Sequence, residues 1–296
     1  LLARPGVTAA GGGAAAGVQT GTTTLGGSLG MAAGTLAGGV GGAALGTYLG
    51  MGMAAIGGPL GLAVGAVLGS VLGGAVSKLF NTSTSIKDQG ITGKAMSLGN
   101  VDALGFTAQA YADVNTKKKA FGISYSSKDS TKTAALSDEM NDQFTMIISS
   151  MGDTIRSAAD VLGLGGAAFN AHLNSFVVDL GKISLKDLSG EEQQKALETA
   201  FSKMGDDMAK FGVAGLAQYQ AVGEGYLETL VRVTNDFMQV SDVLAVLGKS
   251  FNTTGLGAVA LSESLILATG GLEALTNNTG YFVENFLTEA ERMAPI

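Results

Sequence analysis

Glycine recurs at every fourth position across the first quarter of this chain, and this repeat constrains the fold more than any other feature. The repeat has two runs, separated by a Gly-Gly-Pro break at 57–59. Its members are Gly26, Gly30, Gly34, Gly38, Gly42, Gly46 and Gly50, then Gly57, Gly61, Gly65, Gly69 and Gly73. Residues four apart lie nearly above one another on an α-helix, so the repeat predicts a groove without Cβ atoms. Such a groove lets two helix backbones pack closely.

The same segment carries no charge, which bears on its environment. No Asp, Glu, Lys, Arg or His lies between Arg4 and Lys78. An interior glycine destabilises a helix in water by about 1 kcal/mol, so the repeat costs on the order of 10 kcal/mol, as much as a whole domain gains by folding. In lipid the helix persists, because its alternative is unpaired backbone. We therefore predict a membrane-competent helical hairpin at 25–80, after a flexible Gly/Ala/Thr-rich lead at 1–24.

Two other interpretations of the repeat remain open. A flexible linker also has abundant glycine, although linkers are usually polar and rich in serine and do not need this spacing. A buried hairpin inside a soluble oligomer would use the same groove.

The remainder of the chain has the composition of a mildly acidic soluble protein. The 296 residues carry a formal net charge of −7 and contain no cysteine. The negative charge argues against a nucleic-acid-binding protein, which needs clustered Lys and Arg. The lack of cysteine excludes disulfides and thiolate chemistry.

A small antiparallel β-meander is predicted at 81–130. Small or apolar residues alternate with polar ones from Phe106 to Asn115, and period-2 alternation returns after residue 120. The triplet at 117–119 is Lys-Lys-Lys, which we interpret as the tip of a hairpin. Such a tip contacts phosphate or lipid headgroups in some proteins and is a solvated loop in most.

Helices are predicted over most of 131–296. Ser137 is a candidate N-cap, and the run from Ser189 to Glu192 is a candidate capping box. A short β-hairpin is expected near 174–188. A heptad seam follows, with members Tyr226, Leu230, Val233, Phe237, Val240, Leu244 and Leu247. This spacing is typical of a bundle or a short coiled coil, and it fits packing within one chain as well as self-association.

These patterns together predict a mainly α fold. We expect a glycine-zipper apolar helical hairpin, then the small β-meander, then an α-helical, bundle-like C-terminal part.

Catalytic, metal-binding and cofactor-binding motifs are missing from the sequence. The single histidine, His172, excludes a metal site built on several histidines. The adjacent acidic pairs at 191–192 and 206–207 fall on predicted helices, where neighbouring side chains diverge. We therefore expect a non-enzymatic protein without cofactor or metal.

Four stretches carry a resemblance to a known family. They are GGPLGLAVGAVLGSVLGG at 57–74, YADVNTKKKAFGISYSSK at 111–128, LNSFVVDLGKISLKDLSGEE at 173–192 and VGEGYLETLVRVTNDF at 222–237. In this order they resemble the C-terminal, tip region of tail tape measure proteins of long-tailed, non-contractile phages. No catalytic residue is implied by the resemblance. The long helical ruler of that family, with its regular aromatic residues, is not present here.

The resemblance implies a virion component that fills the tail tube, helps set its length and leaves through the tip during DNA ejection. It implies a trimer in contact with distal tail and tail-hub proteins, and then with the host inner membrane and periplasm. Phage DNA would be an indirect partner. Two other classes remain open from the residues: a stand-alone pore-forming toxin or secreted effector, and an enzyme that cleaves peptidoglycan with a carboxylate pair.

Overall fold

The computed structural model describes residues 83–120 and 123–288. All twelve repeat glycines, the predicted lead and the predicted hairpin at 25–80 lie outside these residues. The expected mainly α class is wrong for the part of the chain that the structure describes. Between residues 85 and 288, 59% of residues are helical and 18% are in strands, and a four-stranded antiparallel sheet precedes the helices. This arrangement is an α+β fold.

The main sheet contains three long strands and one short strand at its edge. The described strands are β1 (Ser83–Gly93), β2 (Met96–Ser97), β3 (Ala108–Ala120), β4 (Ile123–Ala135), β5 (Val177–Val178) and β6 (Lys182–Ser184). The four-stranded sheet has the order β4-β3-β1-β6, and β2 pairs with β5 in a separate two-stranded sheet. The alternation predicted from Phe106 onward is therefore found in β3, one of the two central strands of this sheet.

Two β predictions differ from the structure. The expected hairpin near 174–188 is wrong, because β5 pairs with β2 whereas β6 pairs with β1. Strands of two and three residues are too short to be stable as an isolated pair, so each adds to an edge that the rest of the fold supplies. The lysine triplet is not a loop either, since β3 continues through it and Lys117 pairs with Ser127 of β4.

Helices make up the rest of the described chain. They are α1 (Leu98–Leu104), α2 (Asp138–Val161), α3 (Ala167–Asn174), α4 (Gly190–Gly212), α5 (Tyr226–Val246), α6 (Leu256–Thr269) and α7 (Leu272–Phe286), with a 3₁₀ turn at Leu216–Tyr219. Ser137 caps α2 by accepting a hydrogen bond from the amide of Met140. The predicted capping box of Ser189 and Glu192 opens α4. Both caps are confirmed.

One hydrophobic cluster joins the sheet to the helices. It takes Ile91 and Ala110 from adjacent strands and Phe144 and Phe201 from α2 and α4. The rings of the two phenylalanines lie 5.4 Å apart, centroid to centroid. An amphipathic helix such as α2 needs a second layer to cover its apolar face, and the sheet provides it. This shared core is the physical reason that the mainly α description fails.

No single helix in the described ranges has both the length and the hydropathy needed to cross a bilayer. α6 and α7 meet that criterion only when taken together, and they bend by 76° where they join. Gly270 and Gly271 at the bend both have positive φ angles, which glycine adopts without strain.

Candidate functional site

The predicted heptad seam lies on α5. Four of its members, Tyr226, Leu230, Val233 and Val240, are buried. Phe237 and Leu244 are partly buried, and Leu247 follows the last helical residue and is exposed. α5 packs against α2, α4 and α6, so the described partners of the seam belong to the same chain.

A cluster of four charged side chains joins α5 to the elements on either side of it. Nε of Arg232 lies 2.9 Å from Oε1 of Glu224, in the loop before α5. Nη1 lies 3.2 Å from Asp236, one turn along α5, and 3.3 Å from Glu263 on α6. The same guanidinium donates to the carbonyl oxygen of Tyr219. One cation therefore faces three carboxylates, and we call this group the Arg232 cluster.

The pKa values of two of the three carboxyls in the Arg232 cluster are shifted in opposite directions. Burial, followed by the nearby Glu263 carboxylate, raises the pKa of Asp236 from 3.8 to about 6. Glu224 behaves oppositely: burial alone would raise its pKa, but hydrogen bonds from Arg232, the Ala221 amide and Thr229 hold it below its ordinary value. The Arg232 cluster therefore retains a titratable group near neutral pH.

The helix that the Arg232 cluster contacts exposes three leucines to solvent. Leu261, Leu265 and Leu267 of α6 are exposed, with 82% of Leu267 accessible to solvent. The buried residues of α6 are instead small or short, namely Ala258, Val259 and Ser262. α7 has no buried residue.

A second polar cluster lies on the sheet face opposite the hydrophobic core. The Tyr111 hydroxyl donates to Asp88 at 2.7 Å, and Nζ of Lys182 lies 2.7 Å from Asp113 and 4.7 Å from the centre of the Tyr111 ring. Burial and the adjacent Asp88 carboxylate raise the pKa of Tyr111. Across the sheet, Asp129 accepts from Lys87 at 2.7 Å.

This polar face lines a shallow cavity of about 430 Å³ beside Asp88, Asp113 and Asp129. Each of the three carboxylates is hydrogen-bonded within the sheet. Across residues 83–120 and 123–288, no three His, Cys, Asp or Glu side chains are placed to hold a metal ion. The cluster therefore connects strands β1, β3, β4 and β6, and its hydrogen bonds stabilise the sheet.

Three of the residues considered for catalysis, His172, Asp206 and Glu192, have structural partners. The His172 ring stacks on Phe211 with centroids 4.2 Å apart. Asp206 of α4 accepts the Leu227 amide at 2.9 Å, which pairs a free N–H group at the start of α5. Glu192 completes the capping box of α4.

The members of the Arg232 cluster come from three segments of the chain, so no local pattern in the sequence predicts it. Only the Arg232–Asp236 spacing of four residues is a visible signal, and it is typical of an ordinary surface ion pair. Glu263 lies 31 residues beyond Arg232 and meets it only through the packing of α6 on α5.

Comparisons with known proteins add no relative: no protein-family model, no curated protein and no solved structure matches this chain.

Proposed function

We propose that this chain is a tip-region segment of a tail tape measure protein of a long-tailed, non-contractile phage. In this role it lies in the tail tube and tip and leaves on infection to help form a conduit for DNA through the host envelope. Its partners are two further copies of itself, distal tail and hub proteins, and then the host inner membrane. The role is not enzymatic.

The observation that carries the proposal is the charge-free glycine repeat from Gly26 to Gly73, placed before a folded, charged domain. An apolar segment of this kind needs a protein sheath before ejection and lipid afterwards, because its glycines destabilise helices in water. A tail tube followed by a host membrane supplies both environments. The four stretches that resemble the family support the same assignment.

A phage that encodes this chain provides the direct test. We expect the chain in purified tails, and cryo-EM of the tip should show three copies inside the tube. Replacing Gly34, Gly38 and Gly42 by leucine should leave adsorption intact and abolish delivery of DNA, because the close helix packing is lost. The matched control replaces Gly13, Gly17 and Gly21 in the predicted lead by leucine and should eject DNA normally.

Absence of the chain from tails would contradict the proposal. So would normal DNA delivery by the Gly34/Gly38/Gly42 variant. The alternative, a stand-alone pore-forming toxin, predicts that the purified chain releases dye from liposomes without tail proteins. It also predicts that deleting 81–296 leaves that activity intact.

A further inference from the structure

The charge-free stretch of the sequence enters the described domain beside the lysine triplet. β1 begins at Ser83, and its register places Ser83 opposite Lys117 of β3. The charge-free stretch ends at residue 77, six residues before Ser83. Six residues of chain reach at most about 22 Å. Covalent geometry alone therefore keeps the end of the charge-free stretch close to Lys117.

The hairpin of β3 and β4 extends past the first residue of β1. After the pair of Ser83 and Lys117, β3 continues for three residues to Ala120 and stays paired with β4. Three residues of strand rise about 10 Å. Because β1 and β3 are antiparallel, this extension leaves the sheet at the end where β1 begins. We call residues 116–128 the lysine tip.

The lysine tip is basic and contains no Asp or Glu. Its lysines are Lys117, Lys118, Lys119 and Lys128. Lys117 and Lys128 are exposed, and neither forms an ion pair with another residue of the described ranges. Lys117 pairs with Ser127 whereas Lys128 pairs with Thr116, so the two lysines lie on opposite faces of the sheet. The end of the hairpin therefore carries positive charge on both faces.

Charge is distributed unevenly along the whole chain. Residues 1–128 contain eight of the 18 Lys and Arg residues but only three of the 25 Asp and Glu residues. The other lysines near the tip are neutralised, since Lys87 pairs with Asp129 and Lys182 with Asp113. An anionic surface would attract the lysine tip and repel the acidic remainder of the domain. Such a surface would therefore orient the domain with the tip toward it.

The covalent neighbour of the tip selects one kind of anion. Lipid headgroups and DNA both offer phosphate to lysine. Under the function proposed above, the charge-free stretch enters lipid, and its attachment at Ser83 then brings the tip to the level of the headgroups. Lysines beside a membrane-inserted segment are attracted by the negative potential of anionic lipid. Lipid is therefore the anion that the tip meets at closest range.

We propose that the lysine tip binds the anionic headgroups of the bilayer that the glycine repeat enters, and so holds one end of the folded domain at the membrane surface. The inference rests on the function proposed above, because the repeat is what brings the tip to a membrane. It adds a requirement for anionic lipid, which a charge-free segment does not have by itself. It also assigns the lysine triplet a role that its place in strand β3 does not explain.

Single fluorescent labels on the full-length protein test the proposal, because the chain contains no cysteine of its own. Ser126→Cys reports on the tip, and Ser202→Cys on α4 is its control; both serines are exposed. Leu68→Cys reports on the glycine repeat. Vesicles contain phosphatidylcholine with or without phosphatidylglycerol, and a quencher on either the headgroups or the acyl chains. In anionic vesicles, headgroup quenchers should quench the label at 126 and not the label at 202.

Charge variants of the protein labelled at 126 identify the lysines. Replacing Lys117, Lys118 and Lys119 by glutamine should weaken docking of the tip on the order of fivefold per lysine. The matched control makes the same change at three exposed lysines of α4, Lys195, Lys203 and Lys210, and should dock like the wild type. Replacing the triplet by arginine keeps the charge and should keep the quenching. Unchanged thermal unfolding shows that each variant is folded.

Salt separates the two membrane contacts of the same molecule. Raising the ionic strength from 0.1 to 1 M shortens the Debye length from about 10 to 3 Å. The label at 126 should then leave the headgroups. The label at 68 should stay quenched by the acyl chains, because burial of an uncharged segment is not screened by salt.

The outcomes distinguish this inference from the function on which it rests. A label at 68 in the acyl region, with equal quenching at 126 by neutral and anionic vesicles, would overturn the inference alone. Equal quenching of the glutamine variant and the wild type would do the same. A label at 68 that stays in water, with charge-dependent quenching at 126, would contradict the proposed function and support lipid binding by the tip. Tighter, triplet-dependent binding to a DNA duplex than to anionic vesicles would assign the tip to DNA and overturn the inference.

Discussion

Oε1 of Glu263 lies 3.3 Å from Nη1 of Arg232, and this contact joins the apolar helix α6 to the buried helix α5. The two residues belong to an ion-pair group of one guanidinium and three carboxylates, all with side chains less than one third exposed. Helix α6 is thus held against α5 through polar groups as well as through apolar packing. Charge within the Arg232 cluster should consequently affect the stability of the α5–α6 boundary.

Asp236→Asn should stabilise the protein at neutral pH. The folded pKa of Asp236 is raised to about 6 from 3.8, so its protonation favours the folded state. That contribution is complete below pH 4 and is lost as the pH rises through 6. The amide stays neutral, so urea unfolding at pH 8 should give a free energy about 3 kcal/mol above that of the wild type, and no gain at pH 4.

The control for this prediction is Asp242→Asn. Asp242 is exposed on the same helix, so its replacement should change the unfolding free energy little at either pH. A gain from Asp236→Asn that is equal at pH 4 and pH 8 would contradict the titration of Asp236.

Arg232→Met should destabilise the protein strongly, because three partly buried carboxylates lose their common cation. Breaking such a group typically costs about 3–5 kcal/mol. Arg232→Lys is the matched variant: it keeps the charge but cannot reach Glu224, Glu263 and the Tyr219 carbonyl together, so its loss should be smaller. Chemical denaturation at pH 7.5 measures both variants, and equal stability of Arg232→Met and wild type would refute the assigned role of the cluster.

Tyr226→Phe should cost about 1–3 kcal/mol in unfolding free energy. The buried Tyr226 hydroxyl donates to the Val213 carbonyl at 2.8 Å and accepts from the Leu216 amide at 2.9 Å. Removal of the hydroxyl leaves both backbone groups unpaired in the interior. Tyr281→Phe makes the same chemical change on the surface and should be neutral. A Tyr226→Phe protein as stable as the wild type would show that the two hydrogen bonds of the buried hydroxyl contribute nothing to stability.

Gly90→Ala should destabilise the sheet, because a Cβ atom there would lie 1.8 Å from the Ile183 carbonyl oxygen. β1 and β6 would have to separate, with an expected loss above about 3 kcal/mol. Gly190→Ala is the control: no atom lies within 4 Å of its added Cβ, and it begins α4. That change should be neutral or slightly stabilising, as thermal unfolding would report, and a Gly90→Ala protein that melts with the wild type would refute the close approach.

Local signals in the sequence predicted the local elements well. Ser137 and the pair Ser189 and Glu192 cap helices as expected, because capping involves residues only three positions apart. The alternation after Phe106 likewise corresponds to strand β3. Each of these predictions depends on contacts within a short segment.

Contacts between distant segments were not predictable in this way. β5 and β6 were expected to pair with each other, yet each pairs with a strand about 80–90 residues earlier in the chain. The Gly90 approach to Ile183 belongs to the same pairing. Nothing in a two- or three-residue strand identifies its partner, because the available edge depends on how the longer strands have already packed.

The amino-acid sequence by itself determined the character of each segment: a charge-free glycine repeat at 26–73, alternating strands, capped helices and an apolar α6. These follow from side-chain periodicity and local hydrogen bonding. Tertiary structure alone decided that the sheet and helices share one core, that Glu263 meets Arg232 and that Leu267 remains exposed. Apolar residues lie on every side of α6, so its sequence specifies no inner face, and only packing against α5 selects one.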